Sequence, residues 1–310
     1  LLRRSLFSLE VMGVDQKEII QKAVKGKFKG HQTLNAKVAP IYPSALERQY
    51  KGITDAYMRI VNQVVSEHLP KIQAAAANER KAATRADSVD DLMTTVQSVF
   101  GIMRDDLEER LGKFDLYGKL KELSELTTKL SIRQWKRVVS QTLGLDIFDD
   151  YYSGQFYQEM LDYWVSQNVA LIKTIPQETL SGMREIVYEG YRNGRTTTAI
   201  LKEIQRTYST NKKHARLIAR DQMAKLNADL TKRQQTDAGV EEYKWSDSRD
   251  ARVRPRHKHL NGKTFRWDDP PVVDTKTGRR CHPGQDYQCR CVAIPVFNIS
   301  TLNIQANPKK

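Results

Sequence analysis

Cysteine is almost absent from this chain of 310 residues: there are three, Cys281, Cys289 and Cys291, all inside one eleven-residue window. So few thiols, so close together, exclude a disulfide framework and suit a reducing compartment in which clustered thiols hold a metal. Long apolar runs are missing as well. The longest, such as Ala74-Ala-Ala-Ala77, falls far short of the roughly 20 residues of a membrane helix, so no membrane association is expected. The opening Leu1–Phe7 is too short and poorly flanked for a secretory signal, and without an initiating Met it reads as trimmed. A Gly-rich phosphate loop, a His-Glu-x-x-His helix and a nucleophile elbow are also absent. Their absence removes the commonest signatures of nucleotide, metalloprotease and hydrolase chemistry.

Positive charge, by contrast, is abundant and uneven. Of the formal net charge of +14, residues 1–50 hold +5, residues 51–200 hold −2 and residues 201–310 hold +11. A basic end on a near-neutral body is the pattern for contact with nucleic acid or an acidic partner. A solvated basic face with no specific ligand is the plain alternative. At 39% hydrophobic, a chain of this length can bury a core and suggests two or three domains.

Residues 44 to about 238 read as helix almost throughout. Ser44-Ala-Leu-Glu47 has the form of a capping box. It opens a helix with Leu46, Tyr50, Ile53, Tyr57, Ile60 and Val64 on one stripe, expected to end near Pro70. Ser88-Val-Asp-Asp91 opens a second, with Leu92, Val96, Val99, Met103, Leu107 and Leu111 aligned, and Leu116, Leu120, Leu123 and Leu130 continue the theme. These stripes read as bundle core. Asp149–Gly154 looks like a boundary, after which Phe156, Met160 and Trp164 start a new helix. Pro176 is expected to begin another, holding Leu180, Met183, Val187 and Tyr191 and closed by Asn193-Gly194. Thr196–Tyr208 and His214–Ala238 read as two further helices, the last with Leu217, Met223, Leu226 and Leu230 inward and Gly239 as its stop.

Past Gly239 the period changes to that of a strand, with Val240, Tyr243 and Trp245. Asn261-Gly262 predicts a hairpin with arms His257–Leu260 and Lys263–Trp267. Arg290–Phe297 reads as a final strand, where Pro295 suits an edge. The expected fold is α+β: long helical N-terminal and middle regions, then a small C-terminal domain of short strands and loops packed on a helix. The expected divisions are a helical docking region 1–150, a helical middle domain 151–239 and a basic module 240–310 that packs with the 214–238 helix.

A module of this size buries little surface, and a metal is the natural staple. Cys289 and Cys291 lie on the same side of an extended strand. His282 from the preceding loop and His257 complete four ligands of the kind zinc prefers, with Cys281 competing with His282. The bland alternative is free thiols packed as small hydrophobes. Arg252, Arg254, Arg256 and Lys258 form a basic string suited to phosphate neutralisation, and Asp250 can hold one of its arginines. The same stretch carries the rival reading, a metal-dependent nuclease or other phosphodiester-acting enzyme. In it Asp250, Arg254, His257 and His259 would stand beside the ion, with His as acid or base and Arg on the phosphate.

Several strings in order carry a resemblance. They are Ile218-Ala-Arg-Asp221, Asn227, Gly239-Val-Glu-Glu-Tyr243-Lys-Trp245, Asp250-x-Arg252-x-Arg254-x-x-His257-x-x-Leu260-Asn-Gly262, His282-Pro-Gly284 and Cys289-Arg-Cys291 with Pro295. From roughly Ile172 to Phe297 the chain resembles the C-terminal domain of the phage Mu F-like minor head proteins, the head-morphogenesis proteins of tailed phages. Cys281 and the six-residue spacer before Cys289 depart from the shorter His-Pro-x-Cys-Arg-Cys form, and the departure bears on the identity of the third metal ligand. The resemblance implies a minor capsid protein at the portal vertex inside the head, acting in head assembly or genome delivery. Its partners would be the portal protein, capsid components and phage double-stranded DNA. Its place would be the virion, and the host cytoplasm during assembly. One structural zinc and no catalytic residue are expected, with Asp250, Arg220 and Asn227 as a structural polar cluster.

Overall fold

Helix-favouring residues dominate between residues 44 and 238. The computed structural model describes residues 15–81 and 88–309. A short helix, α1 (Gln16–Val24), precedes α2 (Ser44–Lys81), α3 (Ser88–Gly112), α4 (Leu116–Leu143), α5 (Gln155–Arg192) and α6 (Thr197–Asp237). Three of these are longer than expected. Pro70 lies inside α2 and Pro176 inside α5. An interior proline removes a backbone bond and costs roughly 3 kcal/mol. Buried side chains on both sides offset it: Val65, Ile72 and Ala76 around Pro70, and Ile172, Ile175 and Leu180 around Pro176. The two helices expected within 196–238 are one, because Ser209–Lys213 contains neither Gly nor Pro. Leu217 is exposed rather than inward, while Met223, Leu226 and Leu230 are buried. Phe156 is likewise exposed, and Tyr157 takes the inward place.

The capping box at Ser44 does not form. Ser44 N–H donates to the Tyr42 carbonyl at 2.8 Å, and the Glu47 carboxylate accepts two bonds from Arg290, at 2.9 and 2.7 Å. The side chains of residues 88–91, which carry the other expected cap, lie outside the described residues.

The chain forms two compact units from alternating segments. One takes the described residues of Leu1–Glu47, Ser124–Asp162 and Asp221–Lys310; the other takes those of Arg48–Leu123 and Tyr163–Arg220. The expected joints near 150 and 239 both fall inside the first. The second unit is helical. Its core includes Val61, Val64, Met103, Leu107, Met183 and Val187, and buried Tyr50 donates to Asn168 Oδ1 at 2.7 Å. In the stripe from Leu46 to Val64, Tyr50, Tyr57 and Val64 are buried, while Leu46, Ile53 and Ile60 are half-buried.

The first unit holds the strands. In chain order these are β1 (Thr33–Asn35), β2 (Leu145–Ile147), β3 (Glu242–Ser246), β4 (Thr264–Arg266), β5 (Val292–Asn298) and β6 (Ala306–Pro308). A four-stranded antiparallel sheet runs β1-β5-β3-β4, and β2 pairs with β6. The architecture is α+β, as expected, but the pairing differs. Residues 257–260 are not a hairpin arm; they belong to a short helix, α7 (Pro255–Leu260), which starts on proline at its first position. Asn261-Gly262 leads from α7 into β4, which pairs with β3. Pro295 sits on a central strand, not an edge. Its carbonyl accepts Ala36 N–H at 3.1 Å, so its nitrogen faces the same side, where β1 has ended at Asn35. The missing donor therefore leaves only the return bond of that one pair unmade, at the end of β1.

Candidate metal centre

Period-two alternation turns Tyr243 and Trp245 of β3 inward, where they build a core with Leu260, Trp267, Val273, Cys289, Cys291 and Ala293. Into that core α7 delivers His257, which is 2% exposed beside Cys289 at 4% and Cys291 at 3%. His257 Nδ1 lies 3.5 Å from Cys289 Sγ and 3.6 Å from Cys291 Sγ. All three ligand atoms lie within 4.8 Å of one another. Both cysteines lie just before β5, which begins at Val292, and the Cys291 amide donates to Cys289 Sγ at 3.4 Å.

The other nitrogen of His257 fixes the ring. Its Nε2 lies 3.0 Å from Asp286 Oδ2, so Nε2 carries a hydrogen and Nδ1 is directed at the thiols. Asp286 is buried and held by Arg254 at 3.2 Å, by Arg279 at 2.9 Å and by the Tyr287 amide at 2.9 Å. Burial disfavours charge on His257, but the Asp286 carboxylate and Cys289 outweigh it and push its pKa up to about 9. Cys289 is held well below the usual thiol range by the hydrogen bond from Cys291, with His257 helping against burial. Cys291 is pushed up by that same bond and by burial.

Two soft sulfurs and an imidazole, with a carboxylate behind the imidazole, fit zinc. Of the four expected ligands the structure brings together His257, Cys289 and Cys291. His282 is engaged elsewhere: Nδ1 is 2.8 Å from Tyr243 Oη and Nε2 is 3.4 Å from Lys232 Nζ. An ammonium only donates, so Nε2 bears the lone pair and Nδ1–H donates to Tyr243. Cys281 packs, half-buried, at the side of the core. Among the described residues no fourth His, Cys, Asp or Glu joins the cluster.

Two of the four residues of the expected phosphate-binding string are hydrogen-bonded within the molecule. Arg254 also donates to the Tyr287 carbonyl at 2.7 Å, and Arg256 donates to the Val272 carbonyl at 2.9 Å. Arg252 and Lys258 are exposed. Asp250 accepts the Arg252 amide at 2.8 Å and lies 3.6 Å from Arg290. His259 is exposed beside Lys263 at 2.8 Å. Asn227 is buried, its carbonyl accepting from Thr231 at 2.7 Å; Arg220 is half-buried in the other unit.

Several residues that shape the centre were not singled out as site residues. Asp221 accepts the Gln288 amide at 2.8 Å and so fixes the loop before Cys289. Gly284 takes φ +86°, and a Cβ there would stand 2.9 Å from Ala228 Cβ, so His282-Pro-Gly284 seats that loop on α6. Asp286, three residues before Cys289, offered a signal as a possible partner for a ligating histidine. Glu47, 243 residues from Arg290, offered none.

The site is thus a thiol–imidazole cluster backed by a carboxylate, beside a small sheet. Residues 181–294 match the family described as Phage Mu protein F like protein. A Haemophilus influenzae protein described only as "Uncharacterized protein" is 35% identical over 150 residues, which is 48% of this chain and 32% of the relative. The chain thus spans about a third of that relative's length. No solved structure matches.

Proposed function

We propose that the chain is a head-morphogenesis component of a tailed phage, docking at the portal vertex inside the head and contacting the genome. The observation that supports this reading is that the Mu F-like match, residues 181–294, falls on the segment that builds the His257, Cys289 and Cys291 centre. The charge of +14 suits an interior filled with DNA. No helix among the described residues is long and apolar enough to cross a membrane, in keeping with a capsid role.

Within this reading the centre holds one zinc ion whose task is to stabilise the module. All three donors are buried, which keeps a substrate away from the ion. His257, oriented by Asp286, and the two cysteine sulfurs hold the metal in place. The test is co-expression with the portal protein from the same source. The chain is expected to co-purify with the portal and to enter assembled heads. Failure of both would overturn the reading.

A further inference from the structure

Basic residues also gather away from the C-terminal module. In the helical unit a cleft of about 400 Å³ is lined by Arg48, Lys51, Gly52 and Asp55 of α2 and by Arg216 and Arg220 of α6. Four cations and one carboxylate line it. Asp55 accepts two hydrogen bonds from Arg216, at 2.7 and 2.5 Å, which hold the guanidinium at the wall. Arg48 is exposed, as is Arg59, one turn beyond Asp55 on the same face of α2. At 1.5 Å per residue, Arg48 to Arg59 covers about 16 Å of helix. A row of that length matches a run of phosphates better than a single anion.

Gly52 adds an observation independent of charge. It lies in the interior of α2, where glycine costs roughly 1 kcal/mol relative to alanine. A Cβ there would meet nothing within 4 Å, so packing does not require the glycine. Its effect is to leave the cleft floor open. In the module, Arg254 and Arg256 are tied to Asp286 and to the Val272 carbonyl; in the helical unit Arg48 and Arg59 are exposed.

We infer that this cleft, and not the arginine string of the module, is where the chain holds the phosphate backbone of duplex DNA. The inference rests on the DNA-contact part of the proposed function. The cations would replace condensed counterions on the duplex, without base readout, so binding is sequence-independent and weakens steeply with salt.

The experiment measures binding of the full chain to a short fluorescent duplex across a salt series. It uses the wild type, the cleft variant Arg48→Gln with Arg59→Gln, the module variant Arg252→Gln with Lys258→Gln, and Gly52→Leu. Thermal melts check that each variant folds. Removing two phosphate contacts should weaken binding about tenfold at moderate salt and lower the slope of log K against log salt by roughly 2. The module variant should stay within about threefold of wild type. Gly52→Leu should weaken binding with the slope unchanged while raising the melting temperature, so loss of fold cannot explain its effect. Wild-type binding that the module variant loses and the cleft variant keeps overturns the inference and leaves DNA contact standing. No wild-type binding at low salt overturns both. Displacement of the duplex by poly-glutamate at matched charge would make the occupant an acidic protein and overturn the assignment to DNA.

Discussion

His257 divides its two nitrogens between tasks, Nε2 to Asp286 and Nδ1 to the sulfurs. Asp286→Asn can still accept from Nε2 but loses the charge that raises ligand basicity, so zinc affinity should fall about 10- to 100-fold. Chelator competition measures this, and unchanged affinity would remove Asp286 from the account. Cys289→Ser should release metal and lower the melting temperature, because a structural site contributes folding free energy directly. Protein purified without chelator should carry about one zinc per chain; freely titratable thiols in folded, zinc-free protein would leave only packing. The sequence pointed to Cys289, Cys291, His257 and His282 as ligands, and nothing in it showed that the two histidines have different surroundings. What separates them is the placement of Tyr243 and Lys232 beside His282, a tertiary fact. Burial, and then the Lys232 charge, hold the His282 pKa down from 6.5 to about 4. The unfolded chain therefore binds this proton at a higher pH than the folded one. The contribution is fully present above about 6.5 and falls as pH drops toward 4, by about 3 kcal/mol in all. Melts of wild type and His282→Gln across that window should converge toward pH 4 if the assignment is correct; parallel curves would refute it.

The long helices and the strands β3 to β5 were legible by period, and their ends and partners were not. Pro70 and Pro176 read as boundaries because the local rule is strong, yet each helix continues where buried side chains on both flanks outweigh one lost backbone bond. Asn261-Gly262 read as a hairpin because the turn chemistry was right, but Pro255 had already committed 255–260 to helix. Gly239 was read correctly as the stop of α6, and the structure adds why glycine is required. It adopts φ +73°, and a Cβ would sit 1.9 Å from the Thr301 carbonyl oxygen. Strained conformation and steric overlap together should make Gly239→Ala cost at least about 2 kcal/mol. Denaturant titration measures it, and a loss below about 0.5 kcal/mol would mean that the 298–303 loop moves aside freely.

At the scale of the molecule, alternation in the sequence conceals how the first unit is assembled. Residues 33–35 supply the strand beside β5, residues 145–147 pair with β6, and Trp135 lies 6.1 Å from Phe297. No local pattern in residues 33–35 signals a partner about 260 residues away, because a three-residue strand carries too little periodicity. The link with the clearest chemistry is Arg290, between the two cysteines, whose guanidinium grips Glu47 at 2.7 and 2.9 Å. Glu47 is 2% exposed and Arg290 18%, so removing one partner leaves the other charge poorly solvated. Glu47→Ala should cost about 3 kcal/mol and loosen the segment before β5 that carries both thiols. The same logic predicts that Asp221–Lys310 alone, without residues 15–47 and 124–162, lacks a cooperative unfolding transition even with zinc. Co-expressing those two segments with it should restore the transition. A sharp melt of the isolated fragment would show instead that the metal and the aromatic core of β3 suffice, and that the N-terminal strand is an addition to a module already folded.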